Sequence, residues 1–290
     1  MKLAILSRKR GLYATSRMVD VARRRGHIVR VLDPLRCALY IASGDLRLIY
    51  KQRPLHGYHA VIPRIGNAIT RYGVAVLRQF AAMGVYTPNP PDGFLVARDK
   101  LCTHQILTAA GIPMPATVFA DQPDDRRNVA AQLGPSPYVV KLTDGSQGSG
   151  VVLANRAEGG DAIVDAFHVL HADFLMQRFI ADAKGCDLRC FVIGDRVVAA
   201  MMRQAKQGDF RSNLCQGGTA TSISVTEEES TLAVRAASVL GLAIAGVDLL
   251  RTLNGPMVLE VNASPGLCGI EQVSGIDIAS LILAYVEAHA

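Results

Sequence analysis

The chain contains no tryptophan, and aromatic residues make up only 6% of its 290 positions. That scarcity argues against a surface of interleaved rings on which single-stranded bases would stack. No uninterrupted apolar stretch reaches the ~18 residues that a membrane-spanning helix requires. The amino-terminal MKLAILSRKRG has an apolar core too short for a signal peptide, so the cytoplasm is the expected compartment and no membrane is expected as a partner. None of the six cysteines stands in a Cys-x-x-Cys pair or at a Cys/His zinc spacing, and Cys186 and Cys190 are the only close pair. Buried free thiols are therefore expected, in preference to disulfides or a zinc site. Acidic residues are the scarcer charge, 25 Asp and Glu against 31 Lys and Arg, and the net +6 could suit nucleic acid, a membrane surface or an acidic substrate, among which sign alone does not choose. The basic stretches Arg8 to Arg10 and Arg23 to Arg25 are short, so direct nucleic-acid binding is not expected.

What is present is a globular composition, half of it apolar. Lys2 to Ser7 is a short apolar run, Ser16 to Arg25 has helical spacing, and His27 to Leu32 is β-branched. This β-α-β order predicts a parallel sheet. A strand at Ala60 to Arg64 and a helix at Ile69 to Met83 continue it, and Tyr86 to Gly93 is predicted to break any regular element. Beyond lie a helix from Asp99 to Gly111, a strand at Tyr138 to Leu142 and a helix at Asp161 to Leu170. Strands follow at Phe174 to Ile180, Asp187 to Ile193 and Val197 to Met202. A helix at Glu227 to Leu240, strands at Ala245 to Arg251 and Met257 to Asn262, and a helix from Ile276 complete the chain. The expectation is α/β followed by α+β.

Three segments carry chemistry. Lys141 followed by Thr143 to Gly150 (TDGSQGSG) suits phosphate contact, because glycines let backbone N–H groups approach oxygen and the lysine adds charge. It is not a P-loop, since valines follow Gly150 where Lys and Ser/Thr should stand, and a plain hairpin loop remains open. Asp248 interrupts the apolar strand AGVDLL, and Glu260 and Asn262 interrupt MVLEVN at a spacing that puts both on one sheet face. The short connection Thr252 to Pro256 allows a hairpin, and pairing centred on Asn254 sets Asp248 opposite Glu260. Facing carboxylates need a cation, a proton or basic side chains, and oxygen-only ligands favour magnesium or manganese; neutralisation by Arg or Lys is the other solution. Arg203 to Asn213 (RQAKQGDFRSN), with Gly217 and Gly218 beyond, could close over anions or form a solvated basic turn. Asp99 reads as a helix N-cap, with Lys100 beside it.

Together these residues resemble the RimK family of ATP-grasp α-L-glutamate ligases over essentially the whole chain. The resemblance rests on LDPL at Leu32 to Leu35, VIPRIG at Val61 to Gly66, ARDKL at Ala97 to Leu101 and VVKL at Val139 to Leu142. It rests also on GDFRSNL at Gly208 to Leu214, on AGVDLLR, and on EVNASPGL at Glu260 to Leu267.

It implies a Rossmann-like pre-ATP-grasp domain with a parallel sheet over 1–97. An α+β ATP-grasp domain would follow, its first subdomain at 98–180 and its second at 181–290. By the same resemblance Lys100 and Lys141 contact ATP phosphates, the strand end at Gln177, Arg178 and Phe179 takes adenine through backbone groups, and Asp187 holds the ribose. Arg211, Ser212 and Asn213 line the nucleotide and metal site. Asp248, Glu260 and Asn262 ligate Mg2+ or Mn2+, two ions in the family pattern, and Arg203 and Lys141 are the catalytic candidates. The implied reaction joins L-glutamate to the acidic carboxyl-terminal tail of a small-subunit ribosomal protein through an acyl phosphate, releasing ADP and phosphate, by an enzyme expected to be a homo-oligomer. Arg178, Met202, Gln204, Cys215 and Gln216 depart from the family pattern, and all but Arg178 adjoin the presumed acceptor site. Another ATP-grasp amide ligase, acting on a peptide or cofactor or making free poly-α-glutamate, is the nearest alternative; a nucleotide-sensing module without catalysis is a further one.

Overall fold

The computed structural model describes residues 1–121, 125, 131–135, 137–143, 145, 149–154, 166–167, 169–170 and 172–290. The chain opens with strand β1 (Lys2–Leu6), helix α1 (Tyr13–Arg24) and strand β2 (Ile28–Leu32). In α1, Ala14, Met18 and Ala22 recur at helical spacing and are buried, which fixes the face turned to the sheet. An antiparallel meander follows, β3 (Cys37–Ala42), β4 (Asp45–Tyr50) and β5 (Arg53–Leu55), and β6 (Ala60–Pro63) then returns to pair with β1. The first sheet has the order β2-β1-β6, all parallel, as the β-α-β reading expects. Both faces of β1 are buried, Leu3 and Ile5 in one apolar cluster and Ala4 and Leu6 in another, the pattern of a central parallel strand.

Helix α2 (Thr70–Ala82) covers this sheet, and α3 (Pro91–Val96) and α4 (Lys100–Ala109) lead away from it. The segment Tyr86 to Gly93 therefore differs from its expectation: Tyr86 bridges Ala60, and α3 begins at Pro91, where proline suits the first helical turn. Asn89, 2% exposed, ties this segment to the far end of the chain. Its amide donates to the carbonyls of Ile244 and Ala263 at 2.7 and 2.9 Å and accepts from the Ile244 N–H at 2.9 Å.

A second sheet, order β7-β10-β8-β9, is built from β7 (Thr117–Val118), β8 (Tyr138–Leu142), β9 (Val151–Ala154) and β10 (Phe174–Arg178). The helix expected at Asp161 to Leu170 falls mainly outside the described residues, as do Asp144 and Ser146 to Gly148 of the glycine-rich segment.

The third sheet, order β13-β12-β11-β14-β15, is antiparallel throughout: β11 (Cys186–Ile193), β12 (Arg196–Gln204), β13 (Thr219–Ser222), β14 (Ile244–Thr252) and β15 (Gly255–Asn262). One face, including Leu188, Cys190, Val247 and Leu249, shares an apolar cluster with Leu232, Ala233 and Ala236 of α5 (Glu227–Val239). The other face is divided. Phe191, Ile193, Ala199, Met201 and Ile244 join the core beneath α6 (Cys268–Ser274) and α7 (Ile278–His289), while the opposite end of the same strands carries charged side chains. The last helix begins at Ile278, two residues later than expected, because Asp277 caps it by accepting from Ser280 N–H at 3.0 Å. Helix α6 had no counterpart in the sequence reading.

All six cysteines are free, but only Cys37 and Cys190 are buried, and burial pushes both thiols up to about 12. The expectation of buried thiols thus fails for Cys215 and Cys268, which are exposed. Among the described residues no single helix is long and apolar enough to cross a membrane.

Candidate active site

The β14–β15 hairpin brings the polar residues together, by a route the sequence alone did not show. Thr252 pairs with Gly255 across a two-residue turn, and Gly255 adopts φ +99°, a region open to glycine at little cost. With that register continued unbroken, Asp248 would not meet Glu260. A shift between Asp248 and Leu249 adds one residue on β15, so that Asp248 pairs with Glu260 and Gly246 with Asn262. The expected facing of Asp248 and Glu260 is observed, and a bulge produces it.

Asp248 does not stand unpaired beside its neighbour. It is 2% exposed and accepts two hydrogen bonds from Arg189, at 2.7 and 2.6 Å, and a third from Arg203 at 2.8 Å. Burial by itself would raise its pKa, but the two guanidiniums outweigh burial and hold the carboxyl below its ordinary value. Arg203, 3% exposed, also grips Asp187 through two bonds of 2.6 Å, and the Ser212 hydroxyl donates to Asp187 at 2.6 Å. Burial works against the Arg203 charge, yet Asp248 and Asp187 raise its pKa overall, so it is a permanent cation. Its Nε and Nη2 are committed to carboxylates; Nη1 has no hydrogen bond among the described residues.

Glu260 is exposed and makes no hydrogen bond or ion pair with the described residues. Asn262 donates its amide nitrogen to the Gly246 carbonyl at 3.5 Å, which leaves its side-chain oxygen uncommitted. Two side-chain oxygen donors thus share a face, neither of them hydrogen-bonded to a described residue, beside an arginine-bound carboxylate. No three His, Cys, Asp or Glu side chains cluster as a self-sufficient metal site among the described residues. An all-oxygen set of this kind fits a hard divalent cation whose remaining ligands are phosphate and water.

The second sheet supplies the opposing wall. Lys141 on β8 and Gln177 on β10 point to the face opposite Tyr138, Val140, Phe174 and Met176, which form that sheet's apolar core. Lys141 Nζ donates to Gln177 Oε1 at 2.6 Å, and the Gln177 amide donates to Thr117 Oγ1 and His104 Nε2, both at 3.0 Å. Because a carbonyl can only accept, His104 Nδ1 carries the proton it gives to the Lys100 carbonyl at 2.7 Å, and Nε2 is the acceptor. Burial lowers His104 to about 4, which keeps the imidazole neutral. The relay is directional from Lys141 to helix α4.

Removal from water lowers the Lys141 ammonium to about 8; Glu260 opposes this, Lys100 adds to it, and Asp248 and Asp187 oppose it. Those long-range influences show that the β8–β10 face looks toward the charged end of the third sheet. Lys100 follows its N-cap, Asp99, which accepts from Cys102 N–H at 2.9 Å. Its Nζ donates to the carbonyls of Thr143 at 2.6 Å and Gly145 at 2.7 Å, holding the described part of the glycine-rich segment.

The remaining candidates are less tightly gathered. Arg211 pairs with Asp209 at 2.9 Å, and the Asn213 carbonyl accepts from Gln216 N–H. Gln177 is 1% exposed, whereas Arg178 is exposed. The Arg178 N–H donates to Ala116 O at 2.8 Å and the Phe179 N–H to Pro137 O at 3.3 Å, so of the backbone groups expected to take adenine these two N–H groups have partners within the chain. Phe179 meets Phe210 edge to face at 6.3 Å.

Four participants escaped the sequence reading. Arg189 was visible in principle, two residues from Asp187 in an otherwise apolar strand. Arg64 lies within VIPRIG; burial, with a smaller contribution from the neighbouring Arg98 charge, lowers it to about 10. Burial also lowers Arg98, and Glu260 opposes that shift. His104, on a helix with no local mark, gave no signal.

Lysines carried by the second sheet's side of the chain, within electrostatic reach of the carboxylates of the third sheet, agree with a comparison of the sequence against family models. The RimK-like ATP-grasp domain matches residues 97–286, and the RimK PreATP-grasp domain matches residues 1–94. The chain belongs to the RimK family of ATP-grasp ligases. It is an ATP-dependent carboxylate–amine ligase with a pre-ATP-grasp domain built on the parallel sheet, followed by an ATP-grasp domain. A relative from Xanthomonas axonopodis pv. citri (strain 306), described as "Probable alpha-L-glutamate ligase", is 56% identical over 99% of this chain and 97% of its own length. A protein of the same description from Stenotrophomonas maltophilia (strain K279a) is 57% identical over 99% and 98%. Among solved structures, the ATP-grasp ligase PsnB complexed with a phosphomimetic variant of its minimal precursor, Mg and ADP superposes with a TM-score of 0.75. The match covers 99% of this chain and 97% of PsnB at 22% identity, a likeness of fold.

Proposed function

We propose that this RimK-family ligase adds L-glutamate to the carboxyl-terminal carboxylate of a peptide or protein, a small-subunit ribosomal protein being the family's expected acceptor, through an acyl phosphate. The observation that carries the reading is that Lys141 lies within electrostatic reach of Glu260, Asp248 and Asp187, the two aspartates being joined by Arg203 and Asn262 sharing the Glu260 face, in a chain whose relatives bear the glutamate-ligase description. In this scheme Lys100 and Lys141 offset the charge of the ATP phosphates. Glu260 and Asn262, with Asp248 beside them, would hold magnesium, which on binding would neutralise phosphate charge. The acceptor carboxylate attacks the terminal phosphorus and ADP departs; the glutamate amine then attacks the acyl carbon and phosphate leaves. Arg203 directs Nη1 toward the oxyanion of that second step while its other nitrogens, fixed by Asp187 and Asp248, hold the guanidinium plane. Asp187, committed to Arg203 and Ser212, would hold the ribose, and Gln177 to Phe179 and Arg211 to Asn213 would border the nucleotide. The test is to incubate the enzyme with ATP, magnesium, L-glutamate and a set of acceptors including a ribosomal tail peptide, then weigh the products. A ladder of added glutamate residues is expected on the tail peptide; no ladder on any acceptor overturns the reading, and a different conjugate identifies another amide ligase.

Lys141 makes ATP binding pH dependent. With its free-enzyme value at about 8, the lysine loses its proton as pH rises through 8, whereas bound phosphate stabilises the charged form. ATP binding should then take up a proton near pH 8, and the Kd should rise by up to ~10-fold for each pH unit above it. Calorimetry in two buffers of different ionisation enthalpy measures the uptake. A Kd that is flat between pH 7 and 9.5, or a dependence that persists in Lys141→Ala, contradicts the assignment. His104→Leu removes one of the two acceptors of the Gln177 amide, a loss of about 1 kcal/mol that should raise the KM for ATP about fivefold. His104→Gln, which restores an acceptor, should stay near wild type in the same kinetic assay.

A further inference from the structure

A cavity of about 350 Å3 lies away from the residues described above, between α1, the loop after β1, β2 and the meander. Its lining includes Arg8, Arg10, Arg23 and Arg30, with Asp33 as its one acid and Tyr50 as part of one wall. None of the four arginines forms an ion pair with a described residue, and Asp33 is turned to the Leu35 N–H at 3.1 Å and to Arg36 at 4.0 Å. Concentrated guanidinium charge on a concave surface, without matching carboxylates, attracts an anion from solution.

The arrangement selects an extended anion. Arg10 precedes α1 and Arg23 lies in its last turn, so the charges are spread along a 12-residue helix, ~18 Å at 1.5 Å per residue. That is about the span of five residues of extended chain. Beside them, β2 pairs with β1 and with no other strand among the described residues, so its outer edge is left without a ladder partner there, while valines of α1 and β2 contribute apolar surface. A single phosphate would use one or two of the arginines and none of the strand edge.

We propose that this groove binds an extended, carboxylate-rich peptide, lying along the free edge of β2 with its acidic side chains against Arg8, Arg10, Arg23 and Arg30. The relevance of such a peptide rests on the proposed reaction, whose acceptor tail and product are both acidic; the binding itself does not require that reaction.

The test uses a fluorescein-labelled hexaglutamate peptide and the full chain without ATP, followed by fluorescence anisotropy. Saturable binding that weakens steeply with salt is expected, at least 10-fold weaker in Arg10→Gln/Arg30→Gln and unchanged in Arg196→Gln, an exposed arginine outside the groove. In steady-state assays the double variant should raise the KM for an acidic-tailed acceptor without raising the KM for ATP. No binding by the wild type, equal binding by the double variant, or tighter variant-sensitive binding of an RNA oligomer of equal charge overturns the proposal. Loss of the proposal with glutamate ligation intact leaves the enzyme's assignment standing; hexaglutamate binding without any ligation removes the assignment and keeps the site.

Discussion

Replacing Glu260 by glutamine is expected to lower kcat by on the order of 10^3-fold, equivalent to about 4 kcal/mol of lost transition-state stabilisation. The side chain keeps its size and polarity but loses the charge that would hold a divalent cation against ATP. Folding should barely respond, because the native carboxylate is exposed and makes no hydrogen bond or ion pair with the described residues. A thermal midpoint within about 2 °C of wild type is expected, in the range of a neutral surface change. Turnover measured at saturating ATP and magnesium checks the first claim, and a thermal melt checks the second. A variant keeping a tenth of wild-type kcat would remove Glu260 from the metal site.

Arg203→Gln should cost both stability and turnover. Arg203 binds Asp187 and Asp248 at once, and removing one member of a buried ionic group leaves uncompensated charge, a loss of about 3–5 kcal/mol. Asp248 keeps Arg189 and Asp187 keeps Ser212, so the lower end of that range is expected, with the melting temperature down by roughly 6–12 °C. The variant carries its own pH sign. A buried carboxylate without its guanidinium has a raised folded-state pKa, so the variant's handicap is greatest at neutral pH and shrinks as pH falls and the group takes up a proton. The gap in melting temperature between wild type and variant should therefore narrow from pH 7.5 to pH 5. In kinetics, loss of an oxyanion donor predicts a ~10^2 to 10^3-fold fall in kcat with little change in ATP affinity. A constant gap across pH would refute the charge argument, and near-normal kcat in the folded variant would end the catalytic role of Arg203.

Much of the framework was legible because its signals are local. Short apolar or β-branched runs marked β1, β2, β6, β8 and the long strands of the third sheet, and helical spacing marked α1, α2 and α5. Short elements were missed where no pattern could accumulate: α6 has seven residues, β5 three and β7 two. The whole β3–β5 meander escaped notice, although it walls the arginine-lined cavity through Tyr50. The opposition of Asp248 and Glu260 was expected from a turn centred on Asn254, whereas the chain uses a tighter turn and a compensating bulge. Hairpin length alone could not distinguish these, because a one-residue shift in the turn and a one-residue bulge cancel.

The amino-acid order by itself determined which side chains share a sheet face, since alternation along a strand is set by backbone geometry: Glu260 with Asn262, and Asp187 with Arg189. It also carried the family motifs. Only the tertiary structure decided what those side chains meet. Arg203 reaches Asp248 across 45 residues and Arg189 reaches it across 59, and Gln177 joins His104 across 73. Contacts of that separation arise when apolar faces pack and bring distant strands into register. The buried acids then take whichever cations arrive within hydrogen-bonding distance, because a charge removed from water must be paired, and nothing in the local pattern specifies the partner.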